Sequence, residues 1–193
     1  VGVAGTALGV GLQPKDENRQ LKDATNIRAV GMAFILWAQN NGDKFPLPSE
    51  VDKDNMTVAG AAADKDTTAN IMSVVVFAGM VPTDLLISPV ETNASIKQME
   101  KYEFVRPSRA VKSEHALWDP AFEADFADGR IGNTSYAHQL PAASTRESRW
   151  MSTYNANTPV VSNRGPRVAA VRERVTDGVS SAEPVLEIGR AHV

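Results

Sequence analysis

The chain has 193 residues and no cysteine. That excludes disulfides, thiolate metal sites and a cysteine nucleophile. It is compatible with an exported protein that manages without disulfides. Long apolar runs are also lacking. A membrane helix needs about 20 consecutive apolar residues, and the nearest candidate, VGVAGTALGVGL from Val1 to Leu12, falls short. Aromatic residues are few, with one small cluster at Trp118, Phe122 and Phe126. Charge of one sign is lacking too. A net charge of −3 is too small to imply nucleic acid or a strongly acidic substrate as partner. There is no glycine-rich phosphate loop, no nucleophile elbow and no His-Glu metal helix. Internal repeats and low-complexity tracts are absent. What remains is a chain long enough to bury a core without staples.

The most informative stretch runs from Asp23 to Pro48, DATNIRAVGMAFILWAQNNGDKFPLP. Pro14 suits the first position of a helix, with Asp16 and Glu17 complementing the positive end of its dipole. Leu21, Ala24, Ile27, Val30 or Gly31, Phe34 and Ala38 then recur at three- and four-residue spacing, which predicts an amphipathic helix. Met32, Phe34, Ile35, Leu36 and Trp37 are nearly continuous, so that end is expected to be covered on most sides. Asn40, Asn41 and Gly42 stop the helix, because Asn and Gly tolerate a left-handed cap. Pro46 and Pro48 force an extended exit.

Downstream the signals are shorter. Gly60 to Asp66 reads as a small-residue linker. Thr67 or Thr68 caps a second helix containing Ile71, Met72, Val75 and Val76, which Gly79 ends. Leu85 to Ile87 reads as a short buried strand, and Tyr102 to Val105 as another. Ser135 to Leu140 is the best strand of the second half. Pro159 to Ser162 is a short strand, Asn163 to Pro166 a turn, and Val168 to Val175 strand or short helix. The expected fold class is α+β: a long N-terminal helix packed on a small antiparallel sheet with extended loops.

Candidate chemistry is thin. His138 sits mid-strand with no recognisable Ser, Asp or His partner, and His115 lies in a polar loop beside Glu114 and near Asp119. A hydrolase or metal-dependent enzyme using either is the weakest of three functional alternatives, and a structural histidine is the expectation. Asp52, Asp54, Asn55, Asp64 and Asp66 are loop oxygen donors that could bind calcium. The EF-hand pattern fails, because Thr57 and Ala63 stand where it needs Gly and Glu. Solvated acids are expected there, with calcium left open and unassigned. Arg146, Arg149, Arg164, Arg167, Arg172 and Arg174, interleaved with Trp150 and Tyr154, could contact phosphate or glycan. Glu147 and Glu173 dilute the charge, and a solvated surface is expected.

Asn26, Ile27, Arg28, Val30, Gly31, Ala33, Trp37, Ala38, Asn40, Asn41, Phe45 and Pro46 together resemble a segment of the type IV pilin and type II secretion pseudopilin superfamily. The likeness is to its planctomycete-type members. Leu86-Ile87-Ser88-Pro89, Ser135-Tyr136-Ala137 and Asn163-Arg164-Gly165-Pro166 resemble later pieces of the same subgroup. The family's processed N-terminal signature and its usual last strand are absent, so a fragment cut at both ends is expected. Residues 1–19 would be the remnant of an apolar helix or linker, and 20–186 the globular domain. Residues 187–193 match the translation of a common sequencing adapter and would be a non-native tail. The resemblance implies a non-enzymatic structural subunit without cofactor, anchored in the bacterial envelope with its head outside the cytoplasm or built into an extracellular filament. Its partners would be other pilin-like subunits or secretion components, and the membrane through the N-terminal helix, with no nucleic acid. Its assembly and structural residues would be Ile27, Val30, Gly31, Phe34, Trp37, Asn40, Asn41, Phe45 and Pro46. The second alternative is a tethered or secreted glycan- or protein-binding module of the same fold.

Overall fold

The computed structural model describes residues 14–127, 129–139, 141, 150–153, 160–164, 167–176 and 179–187. Its dominant element is a helix, α1 (Pro14–Asn40), of 27 residues, about 40 Å long at 1.5 Å per residue. Asp16 and Glu17 occupy its first turn, where acids oppose the helix dipole. Its buried side carries Asp23, Asn26, Val30, Ala33, Phe34 and Ala38, one face at three- and four-residue steps. It stops where Gly42 (φ 62°) and Asp43 (φ 63°) both turn left-handed. The Asp43 amide then donates back to the Ala38 carbonyl at 2.9 Å, satisfying an acceptor that the helix end leaves open. The Asn41 amide donates to the same Ala38 carbonyl at 2.9 Å, and its side chain donates to the Trp37 carbonyl at 2.7 Å.

The chain leaves through Phe45, Pro46 and Leu47, all buried, and makes a single helical turn, α2 (Pro48–Val51). A second single turn, α3 (Ala62–Lys65), sits inside the expected linker. Then comes α4 (Thr68–Phe77), capped by Thr67, whose hydroxyl accepts from the Asn70 amide. Ile71, Met72, Val74, Val75 and Val76 are each exposed by 1% or less. A helix apolar all round has to be central, and burial overrides the weak helix propensity of three successive valines. Gly79, at φ 70°, ends this segment.

The core joins Val30, Ala33, Phe34 and Ala38 of α1 to Ile71, Met72, Val75 and Val76 of α4. Leu86, Phe122, Tyr136 and Trp150 close it. β1 (Tyr136–His138) and β2 (Val161–Asn163) pair antiparallel, Tyr136 opposite Asn163 and His138 opposite Val161. β2 lies beside α1. β3 (Arg167–Thr176) and β4 (Val179–Glu187) form a longer antiparallel ribbon with an irregularity between Val168 and Ala170. Among the described residues the two pairs share no strand.

The architecture is therefore α+β, with small antiparallel strand pairs. Two strands expected from sequence are corrected. Leu85 and Leu86 belong to a 3-10 turn, Thr83–Leu86, with Ile87 extended just after it, because Pro82 and Asp84 carbonyls capture the Leu85 and Ile87 amides locally. Tyr102 to Val105 is irregular. The Tyr102 hydroxyl is drawn to Ser73 of α4, while Phe104 and Val105 stay exposed. The thick end of α1 is corrected too: Met32, Ile35 and Leu36 are 48, 37 and 42% exposed.

Candidate functional site

α1 presents two different faces. On the inner one, Val30 and Phe34 are fully buried, and Ile27 and Trp37 pack partly buried against the core. Phe45, Phe34 and Trp150 form an edge-to-face triangle with centroids 5.4 to 5.9 Å apart. The Trp150 indole donates to the Pro46 carbonyl at 3.0 Å. Val30, Phe34, Phe45 and Pro46 are thus consumed by the fold itself. Gly31 is half-buried, with open space where a Cβ would sit. Asn40 and Asn41 are exposed.

On the outer face, Leu21, Thr25, Arg28, Met32, Ile35 and Gln39 follow steps of four, three, four, three and four, with Leu36 flanking. All are exposed. This alternation makes a stripe along a helix rather than a scatter. Its apolar members are Leu21, Met32, Ile35 and Leu36.

Where the inner face meets the strands there is a polar node. Asp23, 5% exposed, accepts from Ser88 Oγ (2.5 Å), Tyr136 Oη (2.9 Å) and Asn163 Nδ2 (2.8 Å). One turn on, Asn26 donates to the Ile87 carbonyl at 3.2 Å. Burial, then the Asp23 carboxylate, pushes the Tyr136 hydroxyl well above the usual tyrosine range, so it stays a donor. Four segments converge on one carboxylate. Sequence reasoning missed this node. A trace of it is an acid standing in line with Val30 and Phe34 on a mainly apolar face.

A second buried polar group surrounds Asp52, treated from sequence as solvated. It is 1% exposed. Its carboxylate accepts from the amides of Met56, Thr57 and Val58 and faces the Lys65 ammonium at 3.6 Å. Lys65 also donates to the Asp52 carbonyl. An ammonium thus occupies the carboxylate that a cation would use. Asp54 and Asn55 are exposed. Asp64 accepts from the Ala61 amide and Asp66 from Ser49.

Among the described residues, neither histidine bonds to a Ser, Asp or Glu side chain. His138 shares a cluster with Phe34 and Trp150. Its Nδ1 bonds to the Gln139 carbonyl, and its buried Nε2 has no partner among the described residues. Burial pushes its pKa below the ordinary 6.5, against the weaker effect of the Gln139 bond. His115 is exposed in the 3-10 turn Ser113–His115. Among the described residues no group of three or more His, Asp or Glu could hold a metal ion. Of the arginine-rich stretch, Arg146, Arg149 and Tyr154 lie outside the described residues. Trp150 is core, and Arg164 pairs with Glu91 at 2.5 Å over the Phe126 ring. A pocket of about 480 Å³ is lined by Thr57, Asn70, Arg109, Val111 and Pro120 among others. The Asn70 carboxamide in it is already bonded to Trp118 and Lys65. Among the described residues no helix is long and apolar enough to cross a membrane.

The architecture defines an α+β protein whose most distinctive surface is the outer stripe of a long helix. Comparison of the chain with protein-family models, curated protein sequences and solved structures gives no match.

Proposed function

We propose that the chain is a pseudopilin-like structural subunit, without catalytic activity of its own, of a type II secretion or type IV pilus-like envelope assembly. The observation that carries this reading is the pair of faces on α1. A subunit that must hold its own head and also pack against neighbours needs a helix with one face for each task. α1 has an inner face committed to the core and an outer stripe of Leu21, Met32, Ile35 and Leu36 left bare. The sequence likeness from Asn26 to Pro46 falls on the same helix and its exit. The partners are other pilin-like subunits or secretion components, and the membrane is reached through the helix upstream.

The test is a photo-crosslinking residue at Met32 in the full-length protein in its own host. Adducts to pilin-like or secretion subunits are expected. They should vanish when Leu21, Ile35 and Leu36 are replaced by glutamine, with the unfolding midpoint unchanged. A stripe that captures nothing in the assembled envelope refutes the reading. The upstream coding sequence gives a second check. A basic leader followed by about 20 uncharged residues is expected. A secretory signal peptide with a small-residue cleavage site would assign the chain to a secreted binding module instead.

A further inference from the structure

The chain contains three Asn-x-Ser/Thr triplets: Asn55-Met56-Thr57, Asn93-Ala94-Ser95 and Asn133-Thr134-Ser135. Such a triplet is the acceptor sequence for N-linked glycan, in surface loops of exported proteins. The structure separates the three. Asn133 is 6% exposed, and its carboxamide is used at both ends, accepting from the Glu123 amide and donating to the Lys97 carbonyl. A glycan on Nδ2 would meet packed protein. Asn55 is exposed at a turn with φ 55°, but the residue two before it is Lys53.

Asn93 differs from both. It lies in a surface loop between exposed Thr92 and Ala94. Its Oδ1 accepts from the Ser95 amide at 2.9 Å, which fixes the carboxamide while Nδ2 bonds to no described residue. That nitrogen can be substituted without breaking a bond. Two residues before it stands Glu91, the single acid at that position among the three triplets. One class of oligosaccharyltransferase requires an acid there as well as the hydroxyl.

We propose that Asn93, within Glu91-Thr92-Asn93-Ala94-Ser95, is an N-glycan acceptor for an acid-requiring oligosaccharyltransferase. It rests on the head lying outside the cytoplasm, as proposed above. Asn93 Nδ2 attacks C1 of an oligosaccharide carried on a lipid pyrophosphate. The C1–N bond forms, the C1–O bond to pyrophosphate breaks, one amide proton passes to the transferase, and the lipid pyrophosphate leaves. The fold also sets the order of events. In the folded chain Glu91 accepts from the Thr92 and Asn93 amides and pairs with Arg164, 73 positions along. Its carboxylate is therefore readable before Arg164 docks. Transfer precedes closure, and the closed loop still presents Asn93 at the surface.

The test exports the 193-residue chain, behind an added signal sequence, into a bacterial periplasm supplied with such a transferase and its lipid-linked oligosaccharide. One glycan is expected by intact mass, located by peptide mapping at Asn93 and lost in Asn93→Gln. Glu91→Gln should lower occupancy severalfold. Arg164→Ala, which loosens the same loop and leaves the acid in place, should not. The modified chain should keep the unmodified unfolding midpoint. An unmodified Asn93 beside a modified control acceptor overturns the proposal, as does occupancy indifferent to Glu91→Gln or confined to Asn55. The crosslinking result at Met32 does not depend on this outcome, so the two readings fail separately.

Discussion

Replacing Asp23 by alanine removes the acceptor on which Ser88, Tyr136 and Asn163 converge. The three donors do not suffer alike. Asn163 is exposed and finds water. Ser88 and Tyr136, at 6 and 0% exposure, remain buried without the carboxylate. Each orphaned buried group costs about 1–3 kcal/mol, so Asp23→Ala should destabilise by about 2–6 kcal/mol. With a urea slope of about 2–3 kcal/mol per molar for a chain of this size, the midpoint falls by about 1–3 M. Tryptophan fluorescence is a suitable probe, because Trp118 and Trp150 are both buried. Tyr136→Phe alone removes one bond to a charged group, worth about 1.5–3 kcal/mol. In the double variant the orphaned hydroxyl is gone as well. Its loss should therefore fall short of the sum of the single losses by about 1–2 kcal/mol. A midpoint for Asp23→Ala within about 0.3 M of the parent, given that slope, would refute the assignment of Asp23 as the joint between helix and strands. Strict additivity would refute the direct Asp23–Tyr136 coupling.

His138 predicts a pH dependence. Its folded pKa lies below the unfolded 6.5, so the unfolded chain binds the proton more readily. Stability is then fully present above pH 6.5 and is lost as pH falls from there towards the lowered folded value. His138→Phe, followed by urea midpoints between pH 7.5 and 5 (a range spanning about one ordinary histidine titration), should show a flatter profile than the parent. Gly132 is a place where backbones approach closely. A Cβ there would stand 2.7 Å from the Asp125 carbonyl oxygen, between the bridges to Ile96 and Ala124. Gly132→Ala should therefore cost about 1–3 kcal/mol, seen as a lower thermal midpoint, and an unchanged midpoint would show that the two backbones separate freely.

Elements whose cause is local were legible in the sequence. α1 follows from its apolar spacing and its Asn-Asn-Gly stop, α4 from Thr67 and an unbroken apolar run, and β1 from the alternation around Tyr136. What could not be read is what depends on distant partners. The alternation of Tyr102 to Val105 predicts a strand, but a strand needs a neighbour to pair with, and Ser73 claims the tyrosine instead. Asp52 looks like one more loop acid until Lys65 and three backbone amides surround it. The near-continuous apolar run from Met32 to Trp37 signals burial without saying by what. The head covers Ala33 and Phe34 and leaves Met32, Ile35 and Leu36 outside. Of the residues named from sequence as structural or assembly positions, most serve the core, and the bare stripe is set by other positions, Leu21, Met32, Ile35 and Leu36.

The aromatic clasp at the helix exit has a consequence in time. Phe45 and Pro46 are closed by Trp150, whose indole reaches back 104 positions and whose carbonyl accepts from the Phe45 amide. A ribosome adding about 5–20 residues per second needs roughly 5–20 s to deliver that tryptophan after the helix has emerged. Throughout that interval the helix exit lacks its indole partner, and such distant closure is slow once the chain is complete. The helix exit is thus closed late, after most of the residues that build the core have been made.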